Sequence, residues 1–301
     1  MKHNIGMIGV GLMGHGIARN LLKHGHSLTL LEHAGNQPLD ELLAAGARTE
    51  TSSAALAAQS EVIILCVTGT PQVEAVLIGE GALLPSLRQG SVVIDCSTAL
   101  PESTERMARA VLAAGSKFLD APMTRTSKEA HEGRLNLLVG GEVALFDAMR
   151  PLLACFAENI THCGPVGSGH RMKLLHNSVS LGFVALLAEA AACAERAGME
   201  ARGLVEVLAK GGGGGAALER LKPYLLEGDA SGLRFAMGNA YKDLSYYTQM
   251  AQATPAPCAI AQAVCNTYAQ AALLGGAQTM VPELVGQLAG RSTSTLLLPK
   301  E

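Results

Sequence analysis

Residues 5–26 read IGMIGVGLMGHGIARNLLKHGH, and this stretch decides the fold. A short apolar run, Ile5 to Gly9, leads into Gly9, Gly11 and Gly14 in G-x-G-x-x-G spacing. A helical pattern from Ile17 to His24 follows, and a second apolar run, Leu28 to Leu31, closes the unit. Three glycines alone would be weak evidence, but strand, glycines, helix and strand within about 30 residues form a dinucleotide-binding fingerprint. Gly9 permits the tight turn, Gly11 lets the backbone approach a pyrophosphate, and Gly14 lets the helix pack closely on the strand. The intervening Leu12 and Met13 belong to the same anion-receiving turn at the helix N-terminus.

Glu32 ends the second strand in SLTLLEH. Its carboxylate is suited to accept hydrogen bonds from both adenosine ribose hydroxyls and to repel a 2′-phosphate, so NAD is expected in preference to NADP. His33 follows where an arginine could have held the extra phosphate. The alternative for Glu32 is a solvated strand-end charge.

Further apolar runs appear at Val62 to Val67, Val92 to Asp95, Leu135 to Val139 and Asn159 to Cys163, separated by helix-length segments. Short, continuously apolar runs of this kind predict parallel strands covered on both faces. The expected class is α/β: an N-terminal doubly wound Rossmann domain over residues 1–165, then an all-α C-terminal domain over 166–301. After GPVGSG the chain reads from Gly169 to Gly198 as one helix of roughly 30 residues, about 45 Å long. The remainder is Ala-rich and helical in pattern, broken by Gly211 to Gly215, Pro223, Pro255 and Pro257. The tail GRSTSTLLLPKE has no clear pattern.

Composition narrows the function classes. The 301 residues are 49% hydrophobic and 16% charged, with a formal net charge of -3. No concentrated basic patch is available for a phosphate backbone, so nucleic acid is not an expected partner. Mean hydropathy is positive, yet the longest uncharged stretch, Leu174 to Ala188, contains His176, Asn177, Ser178 and Ser180 and is too short to span a bilayer. It reads as a buried helix, and no membrane is expected. The opening MKHNIGMIGVG enters a strand pattern without an export leader, and the seven cysteines are scattered singly. Reduced thiols in a cytoplasmic protein are the expectation. The dispersed histidines give no metal site.

Five separated motifs carry a resemblance: Gly9-Val10-Gly11-Leu12-Met13-Gly14; Asp95-Cys96-Ser97-Thr98; Asp120-Ala121-Pro122 followed by Leu138-Val139-Gly140-Gly141; Gly167-Ser168-Gly169 ahead of Lys173 and Asn177; and Lys242-Asp243-Leu244. With them the chain resembles the β-hydroxyacid dehydrogenase family, which includes 3-hydroxyisobutyrate dehydrogenase, tartronate semialdehyde reductase and the more distant 6-phosphogluconate dehydrogenase. The resemblance implies hydride transfer between a nicotinamide and a small anionic hydroxy acid or its semialdehyde. It places the NMN half along Val67, Thr68 and Thr98, where the crevice rule for open sheets also puts a ligand. It makes Lys173 the acid/base and gives Asn177 the reacting oxygen to bond or Lys173 to orient. It sets Lys242 toward the nicotinamide end, with Asp243 fixing it.

The lysine helix can also be argued from its residues. At about 100° per residue, Lys173, His176, Asn177 and Ser180 project from one face of an otherwise apolar helix. A cleft holding an anionic substrate explains a polar stripe that begins with a lysine. The apolar remainder suggests self-association as a homodimer or homotetramer.

The chain departs from its relatives at Met123, Thr124, Arg125, Thr126 and Ser127, where most read Ser-Gly-Gly. Thr124 keeps a hydroxyl, while Arg125 brings a charged fork that could grip an anion or form a structural pair within its loop. The Arg-Thr-Ser run resembles that of sulfolactaldehyde reductases, as does Ser180, so a sulfonate aldehyde reductase is the alternative. His176 stands where those enzymes carry asparagine; a substrate contact and a structural role both remain open for it. A non-catalytic dinucleotide-binding protein would lack the proton carrier that Lys173 supplies, and imine reductases typically lack the helix lysine.

Overall fold

The computed structural model describes residues 2–291, so most of the C-terminal tail quoted above lies outside the described residues. The chain divides into two compact units, with the division between Lys173 and Leu174.

The first unit alternates strands and helices: β1 (Asn4–Ile8), α1 (Leu12–Lys23), β2 (Ser27–Leu31), α2 (Asp40–Ala44), β3 (Arg48–Glu50), α3 (Ser53–Gln59) and β4 (Val62–Leu65). It continues through α4 (Thr70–Ile78), β5 (Val92–Asp95), α5 (Pro101–Ala113), β6 (Lys117–Asp120), β7 (Met123–Thr124) and α6 (Ser127–Glu132). β8 (Leu135–Gly140), α7 (Val143–Leu153), β9 (Ala157–Gly164) and the start of α8 (Ser168–Arg196) complete it. The strand order is β3-β2-β1-β4-β5-β6-β8-β7, with β9 also on β8. The first six strands pair in parallel. The direction of winding reverses between β1 and β4, which is where open α/β sheets bind ligands.

Both faces of this sheet are covered, as the apolar runs predict. Along β4, Val62 and Ile64 join one buried cluster with Met7, Leu21 and Ile94, while Ile63 and Leu65 join another with Ile8, Val93 and Val111. The far edge corrects the expectation of a wholly parallel sheet. β8 runs antiparallel to β6 and β7, and β9 is largely exposed or half-buried. The segment between β6 and β8 supplies no helix across the sheet, because α6 packs on α1 instead. A Cβ at Gly16 would lie 2.5 Å from the Ala130 carbonyl carbon, and Asn20 Nδ2 donates to the Ala130 carbonyl at 2.9 Å.

Helix α1 begins at Leu12, ahead of the expected Ile17. Gly14 and Gly16 lie inside it despite their poor helix propensity, because close packing there excludes any side chain. β3, β6 and β7 escape pattern reading: β3 is the polar edge Arg-Thr-Glu, β6 has only Phe118 and Leu119 between two charged residues, and β7 is two residues long.

The second unit is helical. It holds the rest of α8, then α9 (Ala201–Lys210), α10 (Ala216–Glu227), α11 (Met237–Ala253), α12 (Ala259–Gly275) and α13 (Leu284–Ala289). Its core gathers Leu181, Val184, Ala188, Leu221, Leu244, Val281 and Tyr268, whose buried hydroxyl donates to the Leu181 carbonyl at 3.1 Å. Helix α8 has 29 residues and an apolar window long enough to cross a bilayer by length and composition, half of that window being buried. The expectation of a buried helix holds for one side only. Leu175, Val179, Phe183 and Leu186 are exposed at spacings that place them in one row.

Two glycine substitutions separate close packing from propensity. A Cβ at Gly169 would sit 2.3 Å from the Leu138 carbonyl oxygen, whereas one at Gly203 in α9 meets nothing within 4 Å. Gly169→Ala is expected to lose about 1–3 kcal/mol, and Gly203→Ala to gain about 0.5–1 kcal/mol, both read from urea unfolding midpoints.

Candidate active site

The glycine turn leaves β1 at Gly9, which adopts φ 94°. A Cβ there would meet the Cys66 carbonyl oxygen at 2.3 Å, so both conformation and space demand glycine. Gly14 is equally constrained, its Cβ position lying 2.0 Å from the Gly9 carbonyl oxygen. Gly11 differs: nothing lies within 4 Å of its Cβ position. It is the N-cap of α1, with no side-chain cap and no acidic residue in the first turn. An open cradle over uncapped helix amides suits a pyrophosphate, so the residues present fit a dinucleotide. Leu12 is exposed beside it, and Met13 is half-buried.

Asn36, which sequence reasoning missed, ties this turn to the end of β2. Its Oδ1 accepts from Val10 N at 3.1 Å, and its Nδ2 donates to the Leu31 carbonyl at 2.9 Å. Glu32 stands exposed at that strand end, its amide donating to the Glu50 carbonyl at 2.8 Å. His33 is also exposed, with Nδ1 accepting from Gly35 N at 2.9 Å.

Val67 and Thr68 follow β4, and Thr98 follows β5, at the same carboxyl edge of the sheet as the glycine turn. Val67 N donates to Ser97 Oγ at 3.0 Å, and Ser97 N donates to Asp95 Oδ1 at 2.9 Å. Burial pushes the Asp95 carboxyl above its ordinary pKa, against the opposing pull of His170 and of hydrogen bonds from Ser97. Burial likewise pushes the Cys66 thiol up to about 12 and raises Cys96, which disfavours the thiolate at both. A cavity of about 400 Å³ lined by Asn4, Ser27, Arg48 and Ser60 lies at the other end of the strands and contains none of the expected site residues. Among the described residues no group of three His, Cys, Asp or Glu side chains is placed to hold a metal ion.

The start of α8 is held by Asp120, at the end of β6. Its fully buried carboxylate accepts from Gly167 N at 2.8 Å through Oδ1 and from His170 N at 2.9 Å through Oδ2. The approach is possible because Gly140 and Gly169 carry no side chain; a Cβ at either would lie within 2.8 Å of that carboxylate. Lys173 follows on the same helix and is half-buried.

One turn on, in the second unit, Asn177 is 5% exposed. Its Nδ2 donates to Asp243 Oδ2 at 2.6 Å, and its Oδ1 faces His176 Nδ1 at 3.0 Å. The Lys242 ammonium lies 3.2 Å from Asp243 Oδ1, an ionic contact rather than a directed hydrogen bond, and 5.6 Å from the centre of the Tyr246 ring. Of the expected stripe, His176 is exposed and Ser180 half-buried, its hydroxyl 3.5 Å from the Asn177 carbonyl.

In β7, Thr124 Oγ1 accepts from Asn136 Nδ2 at 3.1 Å. Thr126 and Glu129 form the capping box of α6, with Thr126 N donating to Glu129 Oε2 at 2.9 Å. Arg125 takes φ 80°, a left-handed conformation that favours glycine. Its guanidinium is bound by the Glu158 carboxylate and the Arg134 carbonyl. The hydrogen bond from Arg125 holds the Glu158 carboxyl below its ordinary pKa.

Residues 4–164 match the model for the NAD binding domain of 6-phosphogluconate dehydrogenase, and residues 167–286 match that for the NAD-binding of NADP-dependent 3-hydroxyisobutyrate dehydrogenase. The chain belongs to the β-hydroxyacid dehydrogenase family. It is 32% identical over 244 residues to 2-(hydroxymethyl)glutarate dehydrogenase of Eubacterium barkeri, covering 80% of this chain and 79% of the relative. It is 33% identical over 220 residues to NAD-dependent L-serine dehydrogenase of Pseudomonas aeruginosa, covering 73% and 74%. A structure of Mycobacterium tuberculosis 3-hydroxyisobutyrate dehydrogenase with L-serine superposes with a TM-score of 0.85 at 25% identity, covering 96% of this chain and 99% of that one.

For this β-hydroxyacid dehydrogenase, the glycine turn, Glu32, Val67, Thr68 and Thr98 all lie along one edge of the first unit's sheet. Arg125 pairs with Glu158 of β9, the structural alternative that its sequence left open, and the Thr126 hydroxyl takes part in capping α6. Asp120, His170 and Asn36 went unread as site residues because each is tied to at least one group 26 or more residues away in sequence. The signal that could have found Asp120 is an acid at a strand end with glycines at 140 and 169.

Gly11→Val should melt close to the parent protein yet bind its nicotinamide dinucleotide at least about tenfold more weakly in calorimetric titration, because the added atoms occupy the cradle. Arg125→Gly should be about as heat-stable as the parent, since glycine removes a left-handed penalty of about 1–2 kcal/mol that offsets the loss of the Glu158 pair and the bond to the Arg134 carbonyl. Arg125→Ala, which keeps the penalty and loses the pair, should melt lower in the same calorimetric scan.

Proposed function

We propose that this dehydrogenase interconverts a small hydroxy acid and its oxo form with NAD, using Lys173 as the proton carrier. One observation carries the assignment of roles: the buried Asn177, one turn beyond Lys173, has its carboxamide held between Asp243 and His176. A carboxamide nitrogen bears two protons. One goes to Asp243, and the other is assigned to the reacting oxygen, where a fixed donor stabilises developing negative charge without reorganisation. Lys173 takes the hydroxyl proton in oxidation and returns it in reduction.

Gly9, Gly11, Leu12, Met13 and Gly14 would hold the pyrophosphate, Glu32 the adenosine ribose, and Val67, Thr68 and Thr98 the NMN half. When bound, the nicotinamide supplies or accepts the hydride. The exposed Glu32 carboxylate, followed by His33 rather than an arginine, supports NAD over NADP.

Thr124 is assigned to the substrate carboxylate. Its hydroxyl oxygen already accepts from Asn136, which leaves the hydroxyl proton to donate. A three- to five-carbon hydroxy acid is the expected substrate class, in keeping with the serine and hydroxy-acid names of the relatives. The sulfonate alternative draws on the Arg-Thr-Ser run and Ser180; the pairing of Arg125 with Glu158 favours the carboxylate reading over it.

A substrate panel of serine, hydroxyisobutyrate, 3-hydroxybutyrate, glycerate, threonate and sulfolactaldehyde, each with NAD and NADP, tests this reading. Turnover is expected on a hydroxy carboxylate with NAD. Lys173→Ala should lower kcat by about 10²–10⁴-fold while leaving NAD affinity within about threefold. Full turnover in Lys173→Ala, or activity on the sulfonate alone, would overturn the assignment.

A further inference from the structure

We propose that His170 is a positioning residue that sets Lys173 against the nicotinamide-side strand ends, through the hydrogen bond from its imidazole to the Ser97 carbonyl. The inference rests on Lys173 as the proton carrier.

The imidazole is 0% exposed, so each ring nitrogen must find a partner within the protein. Nε2 lies 3.0 Å from the Ser97 carbonyl oxygen. A carbonyl only accepts, so Nε2 carries the proton and donates. Nδ1 lies 2.8 Å from Thr104 Oγ1, on α5. The main chain of the same residue is held separately, His170 N donating to Asp120 Oδ2 at 2.9 Å. One residue is therefore tied to the ends of β5 and β6 and to a third element, α5. A residue serving only to fill space would need none of these polar partners.

Ser97 is the junction. Its hydroxyl accepts from Val67 N at 3.0 Å, and Thr98 follows it in sequence. A continuous hydrogen-bonded path thus runs from the β4 end through Ser97 to the first turn of α8. Lys173 lies three residues beyond His170, within one helical turn. Asp120 fixes where the helix starts, and the imidazole fixes its rotation about that start. Loss of the rotational contact shifts the amine, and a misplacement of about 1 Å costs on the order of 100-fold in rate.

The test compares His170→Leu, His170→Gln, Thr104→Val and Lys173→Met by steady-state kinetics with NAD and the best substrate of the panel. His170→Leu should lower kcat by about 10²-fold, with KM for NAD changed by less than about threefold. His170→Gln, whose Nε2 amide can still donate to the Ser97 carbonyl, should recover most of that turnover. Thr104→Val, which deletes one hydroxyl and keeps the shape, should lower kcat by about tenfold and decides the matter if His170→Leu does not fold. Full kcat in folded His170→Leu, a glutamine variant no better than leucine, or full kcat in Thr104→Val where leucine fails to fold would each overturn the positioning role. Lys173→Met separates the two ideas: if it is inactive while His170→Leu is fully active, only the positioning role falls. If Lys173→Met itself turns over normally, the proton-carrier reading falls and takes this one with it.

Discussion

The first unit turns on a buried carboxylate receiving two main-chain amides at the start of a long helix. Asp120 lies wholly inside the protein, where an unpaired charge would be prohibitively costly. The amides of Gly167 and His170 satisfy it, and the positive end of the α8 dipole adds to the attraction. The arrangement closes only because residues 140 and 169 lack side chains. A sheet edge and a helix start are thereby locked together, and the lysine assigned to proton transfer inherits its place from that lock.

The glycine turn is built on the same logic with the opposite purpose. Gly9 and Gly14 are spent on packing, each so close to backbone that no side chain fits, while Gly11 is left open. Packing glycines hold the shape and the open one exposes helix amides, so three residues of one type do different work. Asn36 then clamps the turn to the strand end that carries Glu32, joining the two within a few bonds.

The sequence made plain whatever depends on local order. The strand, glycines and helix at the start, the apolar central strands and the long lysine helix are all written in neighbouring residues. β3 was hidden because an edge strand of Arg-Thr-Glu has no apolar run to find. The reversal at β8 was hidden because strand direction depends on where α6 packs, not on the strand's own composition. The anchoring of α8 was hidden because Asp120 meets partners 47 and 50 residues away. For Arg125 the charge is visible in sequence, while its φ and its pairing with Glu158 are not.

That φ has a consequence for how such an enzyme can change over generations. The course of the loop is fixed by the Thr126 and Glu129 capping box and by the pairing of Thr124 with Asn136, neither of which uses the Arg125 side chain. Position 125 is thus a socket whose backbone is set by its neighbours. A single codon change there exchanges the side chain beside the loop while the main-chain scaffold stays put, so this stretch of surface can vary without the fold being rebuilt.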